Sequence, residues 1–132
     1  MTVELYWLTL TALMTALFWI PYVLNRISVR GLKKAMANPS PDDEPHSPWA
    51  ARALAAHSNA VENLVVFAAL VLVANAAGVS NAITQDAVVV YFVARLGHFL
   101  VYLLGIPGMR TLTFAVSWAS IMAIGLSILG LI

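Results

Sequence analysis

Residues 50–77 read AARALAAHSNAVENLVVFAALVLVANAA, an apolar stretch long enough to cross a lipid bilayer. The hydrocarbon core of a bilayer is about 30 Å thick, which a helix spans with about 20 residues. The same stretch contains the ionisable residues Arg52, His57 and Glu62. It therefore predicts a transmembrane helix that carries charged groups at membrane depth, where such groups are rare and often functional.

Three further stretches, at about 3–24, 87–104 and 112–132, have the same apolar character. The one long polar segment, 25–48, contains four prolines near its end and predicts a loop. The pattern predicts an all-α protein, an integral membrane four-helix bundle in which residues 1–132 form a single domain.

The overall composition excludes several other classes of protein. Apolar residues make up 61% of the chain and charged residues 10%, whereas soluble domains carry about 25% charged residues. Without cysteine there is no disulfide or thiolate site, and the three histidines lack the spacing of metal ligands. The net charge of +1 offers no basic surface for phosphates, so we expect neither a metal site nor a nucleic-acid partner.

The positions of the cations predict an orientation in the membrane. Outside the third apolar stretch, lysine and arginine occur only in the loop 25–48, at the start of the second stretch and just after the third loop: Arg26, Arg30, Lys33, Lys34, Arg52 and Arg110. Because cytoplasmic loops are enriched in these residues, the first and third loops are expected to face the cytoplasm. Both termini would then lie on the non-cytoplasmic side.

Two polar stripes run along the second and third predicted helices. Arg52, Asn59 and Glu62 are spaced i, i+7, i+10, which places them on one helical face. The other stripe follows the spacing i, i+4, i+7, i+11 and consists of Tyr91, Arg95, His98 and Tyr102. We expect the stripes to face each other, with Glu62 and Arg95 at similar depth. These two residues could form a structural ion pair, or line a pocket for an anion together with the arginines at the same end.

Three motifs in these regions resemble the MAPEG family, the membrane-associated proteins in eicosanoid and glutathione metabolism. They are KKAMANP (33–39), RALAAHSNAVE (52–62) and RLGH (95–98), the last followed by Tyr102, Pro107 and Arg110. The resemblance covers about two-thirds of the chain in the family's order. The chain resembles a bacterial-type member of the family, which implies a bacterial inner membrane.

The resemblance implies a homotrimer that binds glutathione in a cleft between subunits, among membrane lipids and with a hydrophobic small molecule as second substrate. Arg110 would be the catalytic residue, since a thiol with a pKa of about 8.5 needs a nearby cation to ionise at neutral pH. The residues expected to hold the cofactor are Arg30, Arg52, Asn59, Glu62, Arg95, His98, Tyr102 and Thr111.

Some positions depart from the pattern of the glutathione-using members. Ala55 and Ser58 stand where those members carry arginines, and Asn63 and Phe114 stand where some have tyrosines. Two hypotheses therefore remain open. The chain is a glutathione transferase or peroxidase acting on hydrophobic electrophiles, or it is a non-enzymatic protein that binds a lipid or another small anion in the same cleft.

Overall fold

A computed structural model describes residues 1–132, and every regular element in it is a helix. Four of its segments are long and apolar enough to cross a membrane. The first of these combines two helices that follow each other directly. In chain order the helices are α1 (Val3–Leu17), α2 (Ile20–Arg30), α3 (Leu32–Met36), α4 (Pro48–Ala76), α5 (Ala82–Leu104) and α6 (Met109–Ile128). The predicted all-helical class and the four long apolar helices are confirmed.

The observed boundaries differ from those of the apolar stretches, because helical hydrogen bonding continues into polar residues. α2 reaches Arg30 and α3 follows it, so both occupy part of the segment 25–48 that was predicted to be a loop. α5 begins at Ala82 rather than at 87, because the preceding residue caps it. The Asn81 side chain accepts a hydrogen bond from the Thr84 amide, and the Thr84 hydroxyl accepts one from the Asn81 amide, each at 3.0 Å. α6 begins at Met109 and ends at Ile128.

The first apolar segment is interrupted between Leu17 and Ile20. Pro21 in the first turn of α2 has no amide hydrogen, so the helical ladder cannot continue through it. Just past this break, Tyr22 and His57 hydrogen-bond at 2.9 Å between the Tyr22 hydroxyl and the His57 Nδ1. His57 thus joins α4 to α2 on a face different from that of Asn59.

Two apolar clusters hold the long helices together, one toward each end. One contains Phe18 stacked on Phe99, with ring centroids 3.9 Å apart, and four alanines of α4 that allow close approach. The other contains Phe67 stacked on Tyr91 at 3.8 Å. Arg95 lies on α5 between these two clusters, so a polar layer separates them.

At the end of the bundle where α1 begins, Glu4 joins α1 to α5. Its side chain is 2% exposed and accepts hydrogen bonds from the Thr84 hydroxyl at 2.6 Å and the Ser80 hydroxyl at 3.3 Å. Asn81 in turn donates to Ser127 of α6 at 3.0 Å. This polar network, called the Glu4 network below (Glu4, Ser80, Asn81, Thr84 and Ser127), therefore links three helices.

Candidate functional site

At the opposite end, α4, α5 and α6 enclose a cleft of about 240 Å³. Its lining residues are Asn59 of α4, His98 and Tyr102 of α5, and Arg110, Thr111 and Phe114 of α6. Five of these six were predicted to be site residues. The turn between α5 and α6 brings together the residues of those two helices, and Asn59 is contributed by α4. We call this space the main cleft.

Arg110 provides the positive charge of the main cleft. Its guanidinium carbon lies 4.7 Å from the centroid of the Tyr102 ring, a distance at which the cation is attracted to the aromatic face. The residue is exposed, and its side chain makes no ion pair, since the one ion pair of the chain joins Arg30 and Asp43. Arg110 is therefore held in place without being neutralised.

The start of α6 adds to this positive potential. The helix begins at Met109 after Gly108, and no side chain caps it. The amides of its first turn therefore lack partners within the helix, and the helix dipole places partial positive charge at that end. Because Arg110 and Thr111 lie in this turn, the main cleft combines a guanidinium group with free amide donors, an arrangement that favours an anion.

His98 forms the wall of the main cleft between α5 and α6. Its Nδ1 lies 3.1 Å from the carbonyl oxygen of Arg110 and 3.2 Å from the hydroxyl oxygen of Thr113. The His98 ring also meets the Tyr102 ring edge to face, with centroids 5.7 Å apart. His98 therefore fixes the first turn of α6, and with it Arg110, against α5.

Arg95 lies behind the main cleft, and the structure corrects the expectation that it faces Glu62. Its Nη2 donates to the side-chain oxygen of Asn59 at 2.6 Å, and its Nη1 lies 3.5 Å from the Ser117 hydroxyl. Glu62 is exposed and makes no ion pair. The crossing of α4 and α5 places Asn59 opposite Arg95, and Glu62 lies one helical turn away from Asn59. The membrane depth estimated from the sequence could not resolve a difference of one turn. The buried guanidinium is thus bound by neutral groups and positions Asn59 in the cleft wall.

Arg52 does not line the main cleft as its position on the polar stripe of α4 predicted. Its Nε donates to the carbonyl oxygen of Leu103 at 3.1 Å, so it caps the C-terminal end of α5. The Arg52 side chain also packs on Gly105, whose φ of 71° suits glycine at a helix end. Arg52 lines a smaller cleft of about 160 Å³ that shares Tyr102 and Arg110 with the main cleft. Two of the predicted arginines therefore meet at the turn after α5.

Arg30 does not line the main cleft. Its Nε donates to the Glu44 carbonyl oxygen at 2.6 Å, and its Nη1 lies 3.7 Å from the Asp43 carboxylate. These contacts fold the segment 37–47 back onto the end of α2. Within this chain, the predicted convergence of arginines therefore includes Arg52 and Arg110 but not Arg30.

Comparison with known protein families shows the family of the chain. The sequence profile of the MAPEG family matches residues 5–130, nearly the whole chain. The chain belongs to the MAPEG family. This confirms the resemblance drawn from the three motifs, and with the four apolar spans it makes the protein an integral, multi-pass membrane protein. Comparison with individual curated proteins gives no significant match.

The structure of this MAPEG protein shows contacts that the sequence did not predict. Thr113 and Ser117 of α6 bind His98 and Arg95, respectively, behind the main cleft. Together with Arg110 and Phe114 they follow a spacing of three and four residues, which marks one helical face. That spacing was visible in the sequence, but Thr113 and Ser117 are uncharged and did not stand out in an apolar helix.

A second, apolar groove of about 450 Å³ runs along α5 and α6. Its lining residues are Val89, Val90, Val93, Ala94, Gly97, Leu112, Thr113 and Val116. Thr113 lines this groove and also contacts His98 of the main cleft, so the two spaces are close to each other at this side chain. An apolar molecule from the membrane could therefore lie close to the polar residues.

Proposed function

We propose that this MAPEG protein is a glutathione-dependent membrane enzyme, of the transferase or peroxidase type, that acts on hydrophobic electrophiles dissolved in the bilayer. The observation that carries the proposal is the unpaired Arg110 in the main cleft, beside the uncapped first turn of α6. Both features favour a bound thiolate, which is the reactive form of glutathione.

The two connected clefts match the chemistry of the tripeptide. Glutathione carries two carboxylates, one amino group and a thiol. Arg52 in the smaller cleft provides a guanidinium group for a carboxylate. Asn59 in the main cleft can bind a peptide group, because its side-chain amide both donates and accepts hydrogen bonds. The thiol would then lie near Arg110, which both clefts share.

The assembly proposed for this function is a homotrimer. Glu62 is exposed on a helix that would otherwise face lipid, where a carboxylate is strongly disfavoured. A neighbouring subunit would cover that face, and Glu62 could then meet the amino group of the ligand. Arg30 could likewise act on the cleft of a neighbouring subunit. The number of subunits follows the family resemblance.

The proposed location is a bacterial inner membrane, with both termini on the non-cytoplasmic side. The Arg110 end of the bundle carries nearly all the lysines and arginines, which supports a cytoplasmic location for that end, where glutathione is reduced. Because the chain has no cysteine, single cysteines introduced at Ser40 and Leu131 would report the orientation by labelling from either side.

Calorimetric titration of the detergent-solubilised protein with glutathione tests the proposal. We expect binding, conjugation of a model aryl halide, and loss of conjugation by about 10²-fold or more in Arg110→Ala, because the cation that stabilises the thiolate is gone. Lys34→Ala is the matched control, because it removes one cation at the same end, outside the cleft. The absence of binding at millimolar glutathione would contradict the proposal.

A second candidate function is the binding of a lipid or another small anion without catalysis. The observation that favours it is the composition of the main cleft, in which Arg110 is the one cation and Phe114 forms an apolar wall. In that case the purified protein carries an anionic lipid, Arg110→Ala loses that lipid, and no thiol chemistry occurs. Mass spectrometry of lipids extracted from both proteins distinguishes the two functions.

A further inference from the structure

The two ring nitrogens of His98 have different environments. Nδ1 lies within hydrogen-bond distance of the Arg110 carbonyl oxygen and the Thr113 hydroxyl oxygen. Nε2 has no hydrogen-bond partner, although the side chain is only 2% exposed and lines the main cleft. A buried polar nitrogen without a partner is unusual, and at the wall of a cleft it indicates a partner supplied by a ligand.

The contacts of Nδ1 decide which nitrogen carries the hydrogen. A carbonyl oxygen can only accept, so Nδ1 must donate to the Arg110 oxygen. The Thr113 hydroxyl points its own hydrogen at the carbonyl oxygens of Met109 or Arg110, at 2.9 and 3.0 Å, and so also accepts from His98. The neutral ring therefore has its lone pair on Nε2, the nitrogen that lacks a partner.

The charged groups around this ring are all positive. Arg95 lies one turn earlier on α5, and Arg110 lies on α6. From α4, the cleft receives only the neutral Asn59, and the remaining neighbours are Tyr102, Thr111 and Phe114. The two guanidinium groups oppose a positive charge on the ring, so Nε2 can take a proton only from a ligand that retains the negative charge beside them. A thiol is such a ligand.

We propose that Nε2 of His98 accepts the thiol proton of glutathione in the main cleft, an inference that rests on the function proposed above. The S–H bond breaks, the proton goes to Nε2, and the electron pair stays on sulfur beside Arg110. The thiolate then forms a C–S bond with the electrophile, whose leaving group departs with its electron pair. The imidazolium ion releases the proton to water, so the net products are a thioether, the leaving-group anion and a proton.

The competing explanation is that His98 only holds α5 against α6. The variant His98→Asn separates the two roles, because the Asn amide nitrogen can replace Nδ1 as the donor to the Arg110 carbonyl, but provides no base at the position of Nε2. His98→Gln is the second variant, since its longer amide reaches the position of Nε2 without basicity. His46→Gln is the matched control, as it removes a histidine outside the main cleft.

The experiment measures the ultraviolet absorbance of the thiolate of bound glutathione against pH in the solubilised protein, and the binding of S-methylglutathione, which has no thiol proton. We expect the wild type to form the thiolate at neutral pH. In His98→Asn, binding of S-methylglutathione is retained, and the thiolate appears only as the pH approaches about 8.5, the value of a free thiol. Conjugation at neutral pH falls about 10²-fold and recovers at high pH.

Three outcomes would overturn the inference. Identical pH profiles of thiolate absorbance in the wild type and both His98 variants would show that Nε2 takes no proton. Loss of S-methylglutathione binding in both variants would assign His98 a packing role. A wild type that binds neither glutathione nor the S-methyl compound would refute the proposed function itself, and so differs from the first two results.

Discussion

The two ends of the bundle differ in whether their buried polar groups are hydrogen-bonded. In the Glu4 network the carboxylate accepts two hydroxyl donors, Asn81 caps α5 and donates to Ser127, and no buried side-chain atom lacks a partner. At the main cleft α6 starts without a cap, and Nε2 of His98 and Nε of the nearby Arg95 have no partner. Unpaired buried groups destabilise a fold. Apart from the Tyr91 hydroxyl in the cluster of Phe67, they all lie at or near the cleft end, which supports the proposal that this end binds a ligand.

This comparison predicts that variants of the Glu4 network change stability alone, whereas variants around the main cleft also change ligand binding.

The largest effect on stability is expected for Asn59→Leu. This change removes the 2.6 Å partner of the Arg95 guanidinium and leaves a buried charge without its strongest hydrogen bond. We expect the free energy of unfolding to fall by about 2–3 kcal/mol, measured by equilibrium unfolding in mixed micelles, together with weaker glutathione binding. Asn75→Leu is the matched control, because Asn75 is an exposed residue near the other end of α4.

A double variant sharpens this result. If Asn59 acts through Arg95, then Asn59→Leu combined with Arg95→Leu is less destabilised than the sum of the single variants, because no charge is left unpaired. If the losses in the free energy of unfolding simply add, the two side chains contribute to stability independently. Asn59 and Arg95, in the polar layer between the apolar clusters, would then not be coupled.

A smaller effect is expected for Glu4→Ala. The Ser80 hydroxyl loses its acceptor, and the Thr84 hydroxyl retains only the Asn81 carbonyl oxygen at 3.0 Å. We expect a loss of about 1–2 kcal/mol in the free energy of unfolding. Glutathione affinity should be unchanged, because the main cleft lies at the other end. Asp86→Ala removes an exposed carboxylate near the same end and should change neither quantity. A weaker affinity in Glu4→Ala would show that the ends are coupled.

The sequence predicted the features that depend on composition and helical period. The four apolar helices follow from hydropathy, and the shared face of His98 and Tyr102 follows from their spacing on α5. The sequence did not predict which side chains pair between helices, because packing sets the rotation and depth of one helix relative to another. Arg95 therefore met Asn59 instead of Glu62, and Arg52 capped α5 at Leu103 instead of facing the main cleft.

The same limit applies to groups that the backbone supplies. The Arg110 carbonyl oxygen that orients His98 and the uncapped amides of α6 belong to no side chain, so no residue pattern reveals them. The family pattern nevertheless selected five residues of the main cleft, because it records which positions come together after folding.

The smallest effect is expected for His46, which lies outside the membrane-spanning helices near the cleft end. Burial and then the charges of Arg26 and Arg30 lower the pKa of His46 below its usual 6.5, so the folded protein holds the ring neutral. When the pH falls below 6.5, His46 binds a proton in the unfolded chain but stays neutral in the folded chain. The free energy of unfolding therefore decreases as the pH decreases from 7 to 5. His46→Gln should make the melting temperature less sensitive to pH in this range. An equal dependence of the melting temperature on pH in both proteins would show that the pKa of His46 is the same in the folded and the unfolded chain. At least one polar group of the cleft end would then be exposed to water.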